Sequence, residues 1–186
     1  MTAYGIPAAA VARVDSPDAA AAAAERIGGP VVLKAGNPNL VHKSDRGGVA
    51  LGLGTPADTA AAHTRMVGLL GAEMGGGLVS PVARPGVETL VGVVQDAAFG
   101  PLVAFGVGGV STDLLADRAY RLVPLTDVDA AELVRSSPAA SRVLSGFRGA
   151  PAGNLAAVED VLLRVARLAE EVPQVREMDI NPLIVT

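Results

Sequence analysis

The stretch 41–49, V-H-K-S-D-R-G-G-V, concentrates reactive side chains in a chain that is otherwise half apolar. A neutral imidazole such as that of His42 has a ring nitrogen that is nucleophilic near neutral pH. The neighbouring cations would offset the charge of a phosphate, and Gly47 and Gly48 let the backbone approach one closely. The pattern predicts a phosphate-handling loop. The alternative is that His42 is an ordinary loop histidine satisfied by a neighbour.

A second group of polar residues lies in the strand-like segment 175–185, where Glu177, Asp179 and Asn181 alternate with apolar residues. Side chains at positions i, i+2 and i+4 of a strand point to one face, so three oxygen donors are expected to converge. Hard cations such as Mg²⁺ favour oxygen ligands of this kind. The alternative is a solvent-facing polar stripe on a half-exposed strand.

Several single residues are candidate ligand contacts because of their places in strands. Lys34 lies near the end of a buried-strand pattern, where its ammonium group suits a nucleotide phosphate or, alternatively, extends to water at the sheet margin. Glu88 lies on an apolar strand, where an unpaired carboxylate would be costly, so we expect it to pair with a cation or contact a ligand. Gly108 and Gly109 follow a strand and allow close approach of the backbone to a ligand.

Asp113 and His63 have less support from their surroundings. Asp113 lies shortly after the two glycines and is either a ligand contact or a turn residue. His63 lies on a predicted helix between Ala and Thr, with no other reactive residue beside it. We therefore expect His63 at the surface.

The elements that would position these residues follow from capping residues and hydrophobic patterns. The predicted helices are 17–26, 56–74, 128–135 and 155–171, and the predicted strands are 30–35, 47–53, 78–83, 87–95, 101–107 and 175–185. The strands 87–95 and 101–107 are expected to form an antiparallel pair. The tripeptide Arg84-Pro85-Gly86 is typical of a hinge, which divides the chain into lobes 1–84 and 85–186.

Composition excludes several classes of protein. A net charge of −4 without a basic cluster argues against nucleic-acid binding, and the absence of Cys excludes disulfides. The apolar runs are far shorter than the ~20 residues of a membrane span, and the N-terminus shows no secretory signal. We therefore expect a cytoplasmic chain that binds neither nucleic acid nor membrane.

Eight segments, in order along the chain, resemble one family. They are Y-G-I-P at 4–7, P-V-V-L-K at 30–34, H-K-S-D-R-G-G-V at 42–49, G-V-E-T-L-V-G-V-V-Q-D at 86–96, F-G-P at 99–101, F-G-V-G-G-V at 105–110, R-L-V-P-L at 121–125 and E-M-D-I-N-P-L at 177–183. The chain resembles, nearly end to end, the ATP-grasp domain or β subunit of NDP-forming acyl-CoA synthetases. This is the ADP-forming acetate–CoA ligase group, related to succinyl-CoA synthetase.

The resemblance implies an α/β (α+β) ATP-grasp fold, in which two lobes hold the nucleotide in a cleft between them. It implies the reaction of acyl-CoA, ADP and phosphate to acid, CoA and ATP, with phosphoryl transfer through phosphohistidine and His42 as a relay. The implied cofactors are ATP or ADP and Mg²⁺, and the implied partner is a CoA-binding α-type domain or subunit. Lys34 and Glu88 match nucleotide-site positions, whereas Asn181 matches a magnesium ligand with Asp179 beside it.

The chain also departs from the family pattern. Asp113 stands where the family usually has Glu, and the chain stops before a strand whose Asp completes the magnesium site. It begins without the family's preceding helix and carries no CoA-binding domain, so we expect a piece of a larger enzyme. The alternative function is a regulatory binding domain without turnover, since similar segments occur fused to lysine acetyltransferase domains.

Overall fold

The structure, a computed structural model, describes residues 1–109, 117–147, 149 and 151–186. The chain divides into two compact units, of which one is Ala9–Ala83 and the other joins Met1–Ala8 to Arg84–Thr186. The expected boundary between residues 84 and 85 lies one residue from this division, and the first eight residues pack with the C-terminal part.

The Ala9–Ala83 unit contains a four-stranded antiparallel sheet in the order β1-β4-β2-β3. Its strands are Ala12–Val14 (β1), Val31–Ala35 (β2), Val49–Leu53 (β3) and Gly77–Pro81 (β4). Its helices are Pro17–Ile27 (α1) and Pro56–Leu70 (α2), the second of which continues as a 3-10 turn at Gly71–Met74. Val31, Leu33 and Ala35 alternate along β2 and are fully buried, so this face of the sheet forms the core with α1 and α2.

Capping residues explain where these two helices begin and end. The Ser16 side chain accepts the N–H of Ala19 at 3.1 Å, Pro17 occupies the first helical position, and Gly28 ends α1 with a φ of 72°. Thr55 and Asp58 form a reciprocal capping box at the start of α2. The sequence signals for both helices are thus local.

The other unit contains a second four-stranded antiparallel sheet, in the order β7-β6-β5-β8. Its strands are Val87–Asp96 (β5), Gly100–Val107 (β6), Arg118–Leu122 (β7) and Glu177–Val185 (β8). Its helices include Asp127–Arg135 (α3), Pro138–Leu144 (α4) and Leu155–Glu171 (α5). Val91, Val103 and Phe105 are fully buried on one face of the sheet and form the core with Leu162 and Val165 of α5.

The first residues of the chain are bound to α5, which explains why they belong to this unit. Ile6 is buried in its core, and the Tyr4 carbonyl accepts Nη1 of Arg164 at 3.1 Å. The Tyr4 hydroxyl donates to Glu171 at 3.0 Å, and this hydrogen bond raises the pKa of Tyr4. The pKa of Glu171 is lowered, first by its hydrogen bond with Arg167 and then by that with Tyr4.

Most predicted elements are confirmed within a few residues, and among the described residues two strands and one α-helix were not predicted. The antiparallel pair β5–β6, the strands β2 and β8 and the long helix α5 lie where the sequence indicated. The elements that were not predicted are β1, β7 and α4. No helix among the described residues is long and apolar enough to cross a membrane.

Candidate functional site

The loop that carries His42 joins β2 to β3 and is folded by its own backbone. Among the described residues, His42 is the only one other than glycine that has a positive φ, at 52°. Its carbonyl oxygen accepts the N–H groups of Asp45 and Arg46 at 3.1 and 3.3 Å. Leu40 is buried at the base of the loop, whereas His42 is exposed. The imidazole is therefore accessible to another reactant on a loop with a fixed base.

Gly47 and Gly48 shape this loop through their backbone. The N–H of Gly47 donates to the Ser44 carbonyl at 3.2 Å, and that of Gly48 donates to the Lys43 carbonyl at 2.6 Å. Gly47 has a φ of 71°, and a Cβ there would overlap the Leu69 side chain. In this conformation both amides donate to carbonyl groups of the loop itself.

Lys34 is an exposed residue on β2 between two fully buried neighbours. It pairs with Val49 of β3 and Leu78 of β4. Because its two neighbours along β2 are buried in the core with α1 and α2, Lys34 lies on the opposite face of the sheet. Of the loop cations, Arg46 forms an ion pair with Glu73, with 2.6 Å between Nη2 and Oε2. Lys34 is exposed on its face of the sheet, as a phosphate contact would require.

A pocket of about 430 Å³ lies on the second sheet, on the face opposite its core. The sheet leaves room for the pocket because Gly92 has no side chain and its partner on β6, Ala104, has a small one. Glu177, Asp179 and Asn181 all line the pocket. The prediction that these three residues share one face of the last strand is therefore confirmed.

Three residues that are distant in sequence, Glu88, Gly109 and Asn181, come together beside this pocket. The N–H of Gly109 donates to Oδ1 of Asn181 at 2.9 Å, and the N–H of Gly108 donates to the carbonyl of Glu88 at 2.9 Å. A Cβ on Gly109 would overlap the Glu88 carboxylate. Glu88 is exposed, because it lies on the face of β5 opposite the buried residues Thr89 and Val91. Its contact with a ligand stays a prediction.

The oxygen atoms here fit Mg²⁺ in chemical type. Asp179 offers a carboxylate and Asn181 an amide oxygen, and both line the same pocket. Among the described residues, no three His, Cys, Asp or Glu side chains form a group that could hold a metal ion. Since Mg²⁺ is usually bound through one or two protein oxygens together with phosphates and waters, the arrangement suits a cation that arrives with a nucleotide.

Two polar side chains that line the pocket were missed in the sequence, and one candidate residue cannot be placed. Arg118 and Tyr120 of β7 line the pocket because they pair with Gly106 and Ala104 of β6. The alternation of the run R-A-Y-R-L was the available signal for this strand. Asp113 lies outside the described residues.

His63 is buried, so its predicted surface position is wrong. The residue is 2% exposed on α2, its ring contacts the region of Gly77, and both ring nitrogens are buried without a hydrogen-bond partner in the described structure. It lies on the core face because the neighbouring buried residues Thr59 and Met66 follow the helical period. His63 is therefore a core residue of the Ala9–Ala83 unit.

Comparison with known proteins agrees with the resemblance in the motifs. The sequence profile of the ATP-grasp domain matches residues 1–186. The chain is 40% identical over 187 residues to acetate–CoA ligase [ADP-forming] I of Archaeoglobus fulgidus, covering 98% of this chain and 27% of that protein. It is 34% identical over 185 residues to subunit beta of acetate–CoA ligase [ADP-forming] I of Pyrococcus furiosus, covering 97% of this chain and 79% of that subunit. The chain thus spans about a quarter of the first relative.

A solved structure agrees with the fold. The dinucleotide-forming acetyl-coenzyme A synthetase 1 of Ca. Korarchaeum cryptofilum, in complex with coenzyme A and Mg-AMPPCP, superposes with a TM-score of 0.87 at 36% identity. The match covers 99% of this chain and 81% of that one. The expected fold class is confirmed, and the chain belongs to the ATP-grasp domain family, in the branch of the ADP-forming acetate–CoA ligases.

Proposed function

We propose that the chain is the nucleotide-binding part of an NDP-forming acyl-CoA synthetase and transfers a phosphoryl group between ATP or ADP and a phosphohistidine. The observation that carries the proposal is the convergence of Glu88, Gly109 and Asn181 beside an open pocket. Each of these residues was a candidate from sequence alone. Their proximity in the structure supports binding of a common ligand.

The residues have distinct proposed roles in holding the nucleotide. Asn181 and Asp179 would hold Mg²⁺, which when bound would neutralise phosphate charge during transfer. Lys34 would contribute a point charge to a phosphate, and Glu88 would contact the nucleotide. Gly108 and Gly109 keep the backbone close to Glu88, as the hydrogen bond from Gly108 to the Glu88 carbonyl shows at 2.9 Å.

His42 would be the phosphoryl relay. A neutral ring nitrogen of His42 attacks the γ-phosphorus of ATP, so that a nitrogen–phosphorus bond forms while the bond to the β,γ-bridging oxygen breaks and ADP leaves with that electron pair. The reverse transfer regenerates ATP. The exposure of His42 on a loop with a fixed base supports this role, because the ring must meet two reactants in turn.

The proposed partner is a CoA-binding α-type domain or subunit. The relatives support this, since one is a beta subunit of a ligase and another is a ligase of which this chain covers 27%. The partner would carry the second phosphohistidine and the acid and CoA sites. This chain would then supply the nucleotide half of the reaction.

Calorimetric titration with ATP or ADP in the presence of Mg²⁺ tests the nucleotide site. We expect binding to wild type and a larger loss of apparent Mg²⁺ affinity in Asn181→Ala than in Glu177→Ala. The reason is that Asn181 is the proposed ligand, whereas Glu177 lines the same pocket two residues back along the same strand. Glu177→Ala is thus a matched control. Equal losses would contradict the assignment of Asn181, and no heat from folded wild type with either nucleotide would contradict the nucleotide site itself.

A further inference from the structure

The hydrogen bond from Gly109 fixes which atom of the Asn181 amide faces the turn after β6. A backbone N–H only donates, so the side-chain atom 2.9 Å from the Gly109 nitrogen is the oxygen Oδ1. A flipped amide would set two donors against each other. Because an amide oxygen has two lone pairs, Oδ1 keeps capacity for a second partner while it accepts from Gly109.

Gly109 is itself held in place by its surroundings. Its φ is 67°, a left-handed conformation in which side chains are strained, and a Cβ there would overlap Oε2 of Glu88. A Cβ on the preceding Gly108 would meet the backbone of Thr89. The two-glycine turn therefore lies tightly on the start of β5. The N–H of Gly108 donates to the Glu88 carbonyl at 2.9 Å, which ties the turn to β5.

We infer that Gly109 is a positioning residue, whose N–H orients the oxygen of Asn181 for a magnesium ion that binds with the nucleotide. The second lone pair of Oδ1 is then presented to the pocket that Asp179 also lines. The inference rests on the proposed function, because it concerns the cation of that nucleotide site. Hydrogen-bond partners of metal ligands fix the ligand geometry, and their loss commonly weakens metal binding about 10- to 100-fold.

The direct test replaces the N–H of Gly109 by an ester oxygen and leaves every side chain in place. Incorporation of glycolic acid at position 109 of the full chain replaces the amide by an ester and keeps the glycine backbone. The matched control is the same replacement at Gly153 of the same unit. It removes a hydrogen bond of the same length, 2.9 Å, that ends on the Leu144 carbonyl, and neither residue lines the pocket. Mg²⁺ is titrated against each protein with ADP present, and the side-chain amide of Asn181 is followed by NMR without metal.

We expect the ester at 109 to weaken Mg²⁺ binding about tenfold or more, and the ester at 153 to change it by less than about threefold. Without metal, the ester at 109 should change the side-chain amide signals of Asn181 and the ester at 153 should leave them nearly unchanged. Asn181→Asp provides a rescue, because either carboxylate oxygen can accept from Gly109. It should retain Mg²⁺ binding, whereas Asn181→Ala should lose it.

The outcomes separate this inference from the proposed function. If wild type and the ester at 109 bind Mg²⁺ equally well with ADP present, the inference is overturned and the proposed nucleotide site is unaffected. Equal weakening by both esters would also overturn it, because the effect would then come from a general loosening of this unit. A wild-type protein that binds neither ADP nor Mg²⁺ would overturn both.

Discussion

The two histidines of the chain lie in opposite environments. His42 is exposed on a turn with a φ of 52°, and His63 is 2% exposed within a helix. The position of His63 could have been predicted, because it falls on the same helical face as Thr59 and Met66, whereas its polar character suggested the surface. The role of His42 depends on a partner and a nucleotide, so it stays a prediction.

His63→Leu should raise the free energy of unfolding by about 1 kcal/mol, because it removes two buried nitrogens that lack partners and keeps a similar volume. Urea unfolding of the variant and of wild type measures the difference. Thr59→Val on the same helix is the control, since the Thr59 hydroxyl donates to the Thr55 carbonyl at 3.0 Å. The control should show no gain. A loss of stability in His63→Leu would show that the ring has a partner in solution.

At the scale of elements, helices that begin at a local capping residue were predicted, whereas the elements that were missed are short. Ser16, Thr126 and Asn154 identify the starts of α1, α3 and α5 because each side chain accepts a backbone N–H of the first turn. The strand β1 has only three residues, too few for a period to be recognised. The seven-residue helix α4 is stabilised by Asp117, whose carboxylate accepts the hydroxyl of Ser137 and two backbone N–H groups of the helix, a contact that only the tertiary structure brings about.

The capping box of α3 predicts a specific pH dependence. Hydrogen bonds from the hydroxyl and N–H of Thr126 lower the pKa of Asp129 below its usual 3.8. A carboxyl whose pKa is lower in the folded state stabilises the fold above its unfolded pKa, and this stabilisation is lost as the pH falls through the folded pKa. The stability difference between wild type and Asp129→Ala should therefore be present near neutral pH and shrink below 3.8. Urea unfolding across this range tests it; a difference that stays constant would contradict the account.

At the scale of the whole molecule, the part of the chain that the structure describes forms two hydrophobic cores that share no residue. One lies between α1, α2 and the first sheet, and the other lies between the second sheet and the helices α3 to α5. Each core supports one group of candidate residues: Lys34 and His42 in the first unit, and Glu88, Gly109 and Asn181 in the second. The grouping of the last three could not be predicted from spacing, because it depends on the pairing of β5 with β8 and on the turn after β6.

Because the two cores are separate, we expect a cavity in one unit to lower mainly the stability of that unit. Leu33 of β2 and Leu162 of α5 are both fully buried, so each substitution by Ala should cost about 2–5 kcal/mol in its own unit. Amide hydrogen exchange should show faster exchange within Ala9–Ala83 for Leu33→Ala and within Arg84–Thr186 for Leu162→Ala. The two variants are controls for each other. Equal acceleration of both units by either variant would contradict the prediction.

The most direct test of the proposed function is the detection of a phosphoryl group on His42. The chain is mixed with ATP, Mg²⁺ and the CoA-binding partner and then analysed by mass spectrometry under conditions that preserve phosphohistidine. The account predicts an adduct on His42 that disappears on addition of ADP, and His42→Ala should lack it while binding nucleotide within a few fold of wild type. Nucleotide binding without any adduct on His42, or net acyl-CoA formation by His42→Ala at the wild-type rate, would contradict the relay.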